Sequence, residues 1–313
     1  MTGCAGFIGA RTAIRFLSEG SDVIGIDNFD PYYSREAKEA NLSRLEQYSE
    51  FKFVEGDLNE IELDPILGST HTVIHLAAQP GVRASWGDGF SRYLRNNVLT
   101  THRLLDRCSS IPLRSFVYAS SASVYGQPSK LPVEEDDPTD PISPYGLTKL
   151  FAEHLCVMYQ GRFRAPIARL RYFTVYGPGQ RPDMLIHRAI DSALRGLTLE
   201  IFGDGRQKRD FTFVEDVAQA NWLAATKLLG PFVSNIASGR PVSVNKVLDL
   251  IEEETGGKIQ VRHLPRAEGD PQETVAATKR ASATIDFRVM TPLKDGIHKQ
   301  VEWQRALEFS GWR

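Results

Sequence analysis

The sequence predicts an α/β fold, a doubly wound parallel sheet with a smaller, discontinuous C-terminal lobe, and three observations carry that expectation. Short β-rich runs alternate with longer helical patterns through the first half of the chain. A glycine set, Gly3-Cys4-Ala5-Gly6-Phe7-Ile8-Gly9, leads straight into a helical pattern. After Tyr176 the texture changes to Gly/Pro-rich turns between shorter elements.

The elements follow in order. Residues 22–27 (DVIGID), 51–54, 72–77, 115–119 and 167–172 are short, apolar and rich in β-branched or aromatic residues, so each reads as a buried strand. Between them, 11–19, 35–48, 90–108 and 145–159 carry helical patterns, and alternating βα units imply a parallel sheet. Beyond the loop YGPGQRPDM come a helix to about residue 195, a strand at 199–202 and a helix–strand pair within 210–237 that can return to the sheet. From 242 the chain is helical, then extended at 259–263, with a final amphipathic helix near 293–305. Residues 1–172 and 210–237 are therefore expected to form a Rossmann-type dinucleotide lobe, residues 173–209 and 238–313 a second lobe, with a ligand cleft between them.

Composition narrows the function classes. In 313 residues, 37 Lys and Arg stand against 39 Asp and Glu, for a net charge of −2, which is no footprint for nucleic acid or a membrane surface. A hydrophobic fraction of 42% with 24% charged residues excludes a disordered chain. Cys4, Cys108 and Cys156 are scattered, with no CxxC pair, which argues against structural zinc or a disulfide framework and for a reducing compartment. No apolar run approaches the roughly 18–20 residues needed to span a bilayer. The start has no basic-then-apolar signal pattern, so a cytoplasmic protein is expected.

Gly3, Gly6 and Gly9 let the backbone turn tightly and approach a pyrophosphate at the positive end of the helix that follows. Such a turn needs a preceding strand of about four or more residues. Only Met1 and Thr2 are present, so a truncated first central strand is expected. The next strand ends in Asp27, 18 residues beyond Gly9, where a carboxylate accepts both ribose hydroxyls and repels a 2′-phosphate, selecting NAD over NADP. A turn or N-cap aspartate is the alternative, since Asn28 and Pro31 follow. Asp57 and Leu58 fall where an adenine edge is met, though a plain turn aspartate fits Asp57 nearly as well.

The run at 115–119 leads into Ser120-Ser121-Ala122-Ser123, and Tyr145 follows 24 residues beyond Ser121 within SPYGLTK. Ser143 is a plausible N-cap with Pro144 at the first helical position, which puts Tyr145 and Lys149 on one helix face. An ammonium beside a phenol favours the phenolate and brings the tyrosine toward neutrality, making a general base for a sugar hydroxyl. A hydroxyl at the end of the strand can bond the same substrate oxygen.

The ordered set TGCAGFIG, Asp27, HLAAQ, SSASVYG, SPYGLTK and RYFTVYGPG resembles the extended short-chain dehydrogenase/reductases that act on nucleotide sugars, and the resemblance runs along essentially the whole chain. It implies a retained NAD that oxidises a sugar carbon and takes the hydride back, with Tyr145 as base and acid, Lys149 on the cofactor ribose and Ser121 on O4. Phe7, Ile8, Asn28, Ala77, Ala78, Asn96, Ser120, Tyr172 and Phe173 would line the NAD site as well. The resemblance further implies a homodimer through helices at 90–108 and 145–159, whose apolar stripes burial within one subunit also explains.

The 4,6-dehydratases of this kind carry Asp-Glu after the catalytic Thr, and the decarboxylases a Glu at the second of these places. Here those places hold Ala122 and Ser123, neither of which exchanges a proton at pH 7. Inversion at C4 remains. The stretch from Thr174 to Met184 resembles the TVYGP-x-x-RPDM signature of UDP-glucuronate 4-epimerases, whereas UDP-glucose 4-epimerases usually carry Asn where Thr174 stands. Arg181 is expected to pair with a C6 carboxylate, with Ser121, Ala122 and Ser123 around the same group; a solvated or dimer-contact arginine is the alternative. Arg209 is the candidate for the diphosphate, Phe202 for the uracil, and Arg266, Asp270 and Arg83 are further substrate candidates. Ala267 stands where UDP-glucose epimerases carry an arginine. UDP-glucose 4-epimerase, UDP-glucuronate decarboxylase and an NAD-sensing binding protein are the rival readings.

Overall fold

Runs of three to seven residues, mostly rich in apolar and aromatic side chains, make the strands, and amphipathic stretches whose apolar positions recur at three- and four-residue spacing make the helices that cover them. The computed structural model describes residues 1–163, 165–265 and 271–309. The chain begins with α1 (Phe7–Ser18), β1 (Val23–Asp27), α2 (Arg35–Leu45), β2 (Phe51–Glu55), α3 (Asp64–Leu67) and β3 (Thr72–His75). There follow α4 (Phe90–Tyr93), a wider π turn at Leu94–Leu99, α5 (Thr100–Cys108), β4 (Ser115–Ser121), α6 (Pro144–Gln160) and β5 (Ile167–Tyr172). Next come β6 (Thr174–Tyr176), α7 (Leu185–Arg195), β7 (Thr198–Phe202), β8 (Lys208–Phe213), α8 (Val214–Lys227) and β9 (Phe232–Ile236). Last are β10 (Pro241–Ser243), α9 (Val244–Thr255), β11 (Gln260–Leu264), α10 (Lys279–Ile285) and α11 (Leu293–Phe309). No helix among the described residues is long and apolar enough to cross a membrane.

β1 and β2 pair in parallel, and β3, β4, β5 and β9 form a parallel run in that order. Between the two sets stands Thr2 alone, bridged to Ile26 on one side and His75 on the other. The backbone there is fully engaged: Ile26 N donates to Met1 O at 2.8 Å, Thr2 N to Ile74 O at 3.0 Å and Gly3 N to Ile26 O at 2.8 Å. Phe7, Ala10, Ala13, Phe16 and Leu17 form the buried stripe of α1, which packs on α8 on one face of the sheet.

The second lobe is built around β6, β8 and β10 and around the parallel pair β7–β11, covered by α7, α9 and α11. Its boundary differs from expectation at two places. β8 lies in this lobe's sheet, parallel to β6, because Phe211 and Phe213 bury against Tyr176, Ile186 and Ile190. Only α8 and β9 of the 210–237 segment return to the larger lobe, and α10 joins them there by burying Ala281 and Ile285 in the first core.

His75 sits beneath the glycine turn, 1% exposed, between the Thr2 and Thr101 hydroxyls at 2.8 and 3.0 Å. Burial pushes its pKa down from 6.5 to about 3, with the Lys149 and amino-terminal charges adding to that. Because the folded value lies below the unfolded one, the neutral ring contributes stability that is complete above pH 6.5 and lost as pH falls toward 3. The urea midpoint should therefore drop between pH 7 and pH 5, with a shallower drop in His75→Gln; parallel slopes in the two proteins would refute the assignment.

Candidate active site

The carboxyl ends of β1 to β5 open into a cleft of about 450 Å³ that reaches from the glycine turn to the loop after β6. At the turn, Gly3 has φ +70° and a Cβ there would stand 2.8 Å from the Ala77 amide, so only glycine lets the turn lie against the end of β3. Gly6 precedes α1, and no side chain caps that helix. Asp27 is 8% exposed and accepts from the amides of Ala5 (3.2 Å) and Phe29 (2.9 Å). Burial pushes its pKa up, while Lys38, 3.8 Å away, and these two amides pull it back. Asn28, Asp57, Leu58, Ala77, Ala78 and Asn96 also border the cleft, as do Phe7, Ile8 and Phe173.

Ser143 caps α6 by accepting from Gly146 N at 3.1 Å, with Pro144 in the first turn, so Tyr145 and Lys149 do share a face. Both line the cleft together with Ser121. The Tyr145 ring stands edge-on to Tyr93 at 6.2 Å. Burial pushes the Tyr145 phenol up, and the Ser121 hydroxyl and the Arg181 guanidinium pull it down. The Lys149 ammonium is engaged elsewhere in the cleft wall. It donates to Ala119 O at 2.7 Å and lies 5.0 Å over the Tyr118 ring. Burial lowers its pKa to about 8, with Cys156 and Glu153 opposing. Ser121 Oγ donates to Ser123 Oγ at 3.1 Å.

The Ser120 hydroxyl points away from the cleft to Glu153, and the Tyr172 phenol donates to Asn221 at 2.6 Å, so both border the cleft without offering it a hydroxyl. Each is on a buried strand whose alternate side chains face the helices behind.

On the other side, a cavity of about 170 Å³ adjoins the cleft at Ser121, Ser123, Phe173 and Thr174 and is also lined by Ala122 and Arg209. Arg209 Nη1 donates to Lys208 O at 2.8 Å, and the neighbouring Asp210 is fully buried and bound to Ser238, Gly239 and Ala276. Arg83 lies 3.9 Å over the Phe202 ring, so two candidates from distant segments meet. Arg181 makes a two-point pair with Asp183, at 2.9 and 3.0 Å, which occupies one edge of the fork expected to meet a substrate carboxylate. Arg266 and Asp270 lie outside the described residues.

Sequence reasoning missed Asn97, 1% exposed within the π turn. Its amide accepts from Gln79 N at 2.7 Å and donates to Gln79 O and Thr148, tying the loop after β3 to α6. Asn96, named from the resemblance, borders the cleft, whereas the next residue turns inward, and nothing in the helical pattern marks the π turn that carries both. Tyr32, Tyr33 and Lys38 of the loop after β1 and the start of α2 also line the cleft.

Residues 1–237 match the model of the NAD dependent epimerase/dehydratase family. The chain belongs to that family. Among solved structures, this epimerase/dehydratase superimposes with a TM-score of 0.94 on UDP-glucuronic acid 4-epimerase from Bacillus cereus in complex with UDP-glucuronic acid and NAD, at 39% identity over 98% of each chain. It is 35% identical to a UDP-glucuronate 4-epimerase from Thermodesulfobacterium geofontis, over 97% of this chain and 95% of that protein. It is 39% identical to YtcB of Bacillus subtilis, described as an uncharacterized UDP-glucose epimerase, over 98% of each. The cleft fits the family's dinucleotide: the glycine turn leaves room for a backbone-bound pyrophosphate, and Asp27 stands at the end of the next strand.

Proposed function

We propose that this family member interconverts UDP-glucuronate and UDP-galacturonate at C4 with a retained NAD. One observation carries the reading: Tyr145, Ser121 and Arg181 converge on one cleft with the glycine turn. Bound NAD supplies the reversible oxidation at C4. Tyr145 takes the O4 proton and returns it, Ser121 bonds the same oxygen, and Lys149 meets the cofactor ribose. Ala122 and Ser123 supply no second acid or base, which favours inversion over elimination of water. The remaining edge of Arg181 meets the C6 carboxylate, and Arg209 the diphosphate. The larger lobe takes the dinucleotide and the smaller lobe the nucleotide sugar.

The test is NMR of the purified enzyme with UDP-glucuronate and no added NAD. UDP-galacturonate should form; CO₂ and a UDP-pentose would mean decarboxylation. Arg181→His should cut the preference for UDP-glucuronate over UDP-glucose by about ten-fold, the scale of one charge-assisted hydrogen bond. Unchanged preference would remove the carboxylate role and favour the UDP-glucose reading.

We further propose a homodimer through the helical segments 90–108 and 145–159. Leu147, Phe151 and Met158 are 52, 51 and 74% exposed along one stripe of α6, beside Leu99 at 58%, an apolar surface that association would cover. Sedimentation should give twice the 35.0 kDa chain mass, and a monomer at micromolar concentration would refute it. The three buried free thiols fit a reducing compartment, here read as the cytoplasm.

A further inference from the structure

We propose that the Tyr33 hydroxyl is a ligand of the cofactor pyrophosphate, donating its proton to a phosphate oxygen at the N-terminus of α1; this rests on the dinucleotide reading above. Among the described residues, the buried side-chain polar atoms without a hydrogen-bond partner are Arg15 Nε, Tyr33 Oη, Tyr118 Oη and Thr212 Oγ1. Of the residues that carry them, only Tyr33 lines the cleft. Buried hydroxyls in native proteins find partners, and a phenol proton without an acceptor is costly to keep. Its place indicates which acceptor is intended.

The oxygen lies 3.9 Å from where a Cβ on Gly6 would stand, so the phenol overhangs the turn at the point where the backbone leads into α1. The nearby Phe7 amide holds the phenol's pKa down against the burial that raises it, but falls short of the geometry of a full hydrogen bond. No side chain caps the twelve-residue helix, whose first amides and dipole favour an anion. The ring is fixed in place by Lys38, whose ammonium sits 5.0 Å over it and donates to Asp30 O at 2.9 Å. A phosphate oxygen at the turn would thus receive a phenol proton from one side and helix amides from the other, within the field of a buried cation. Tyr33 departs from the glycine-and-aspartate pattern by which such a site is recognised, since its loop reaches the turn only in the fold.

Tyr33→Phe keeps the ring and its contact with Lys38 while removing the proton. Wild-type and variant enzymes purified with bound NAD are mixed with excess isotopically labelled NAD, and exchange is followed by mass spectrometry. The same proteins, depleted of NAD, are titrated with ADP-ribose and with adenosine. The variant should exchange NAD about ten-fold faster and bind ADP-ribose about ten-fold more weakly, as for one hydrogen bond to a charged group, with adenosine affinity unchanged. Equal ADP-ribose affinity would overturn the inference, showing that trapped water satisfies the hydroxyl. So would an equal loss for adenosine, which would mean a displaced loop. A wild-type enzyme that holds neither NAD nor ADP-ribose would overturn the dinucleotide reading together with it.

Discussion

Tyr145→Phe is expected to lower kcat by about three orders of magnitude while leaving NAD content and KM for the UDP-sugar near wild type. The size follows from the role proposed for Tyr145, since a positioned general acid and base is worth about 10²–10⁴. The selectivity follows from geometry. The ring contributes its edge-on contact with Tyr93 and fills the cleft wall whether or not it carries an oxygen. Ser121, whose hydroxyl already turns toward Ser123, remains to bond O4, but a serine hydroxyl is no general base at neutral pH. Stopped turnovers on the variant should show no transient NADH absorbance, because the step that removes the C4 hydrogen requires the O4 proton to leave with it. A variant within ten-fold of wild type would move the proton transfer to another group. The same kinetics in Ser121→Ala should show a smaller loss, since that change removes a hydrogen bond and spares the base.

The strands and the Tyr–Lys helix were legible because each depends on a local pattern: VIGID, SFVYA and IARLRY are short runs rich in β-branched, apolar and aromatic residues, and Ser143-Pro144 marks a helix start without reference to the rest of the fold. β8 was assigned to the wrong lobe because KRDFTF is equally apt for either sheet; the decision belongs to the aromatic cluster of Tyr176, Phe211 and Phe213, which long-range contacts assemble. α10 went unread because its seven residues present only two buried apolar positions, Ala281 and Ile285. The site showed the same division. Residue types at fixed spacing, Gly3 to Gly9 and Tyr145 to Lys149, could be read directly. Side-chain pairings, Arg181 with its near neighbour Asp183, Arg83 with Phe202 and Lys149 with the Ala119 carbonyl, depend on side-chain direction in the folded chain and cannot be read from residue types at fixed spacing.

Glu153→Ala is expected to destabilise the protein by about 3–5 kcal/mol, the cost of leaving a buried charge without its partner. Glu153 is the third residue on the Tyr145–Lys149 face of α6, and it is 2% exposed. Its carboxylate receives Arg171 Nε at 2.9 Å and Nη2 at 2.7 Å, and the Ser120 hydroxyl as well. Arg171, 5% exposed on β5, also donates to Tyr125 at 2.8 Å, and Tyr125 to Asn235 on β9 at 2.7 Å. One carboxylate therefore ties α6 to β4, β5 and, through Tyr125, β9. Removing it strands the guanidinium in a site closed to water and frees Ser120, the neighbour of Ser121. Urea denaturation with unchanged m should show the loss, and kcat should fall with it even at temperatures where the variant stays folded, because the Tyr145 and Ser121 hydroxyls no longer share a fixed separation. The paired change Glu153→Leu with Arg171→Met should recover much of the stability, since well-packed apolar replacements of a buried ion pair are often neutral or better. It should not recover kcat to the same extent if the pair also sets the catalytic geometry. Full recovery of both would reduce the pair to packing, and a loss below about 1 kcal/mol in the single variant, the range of an exposed ion pair, would mean that water reaches Arg171.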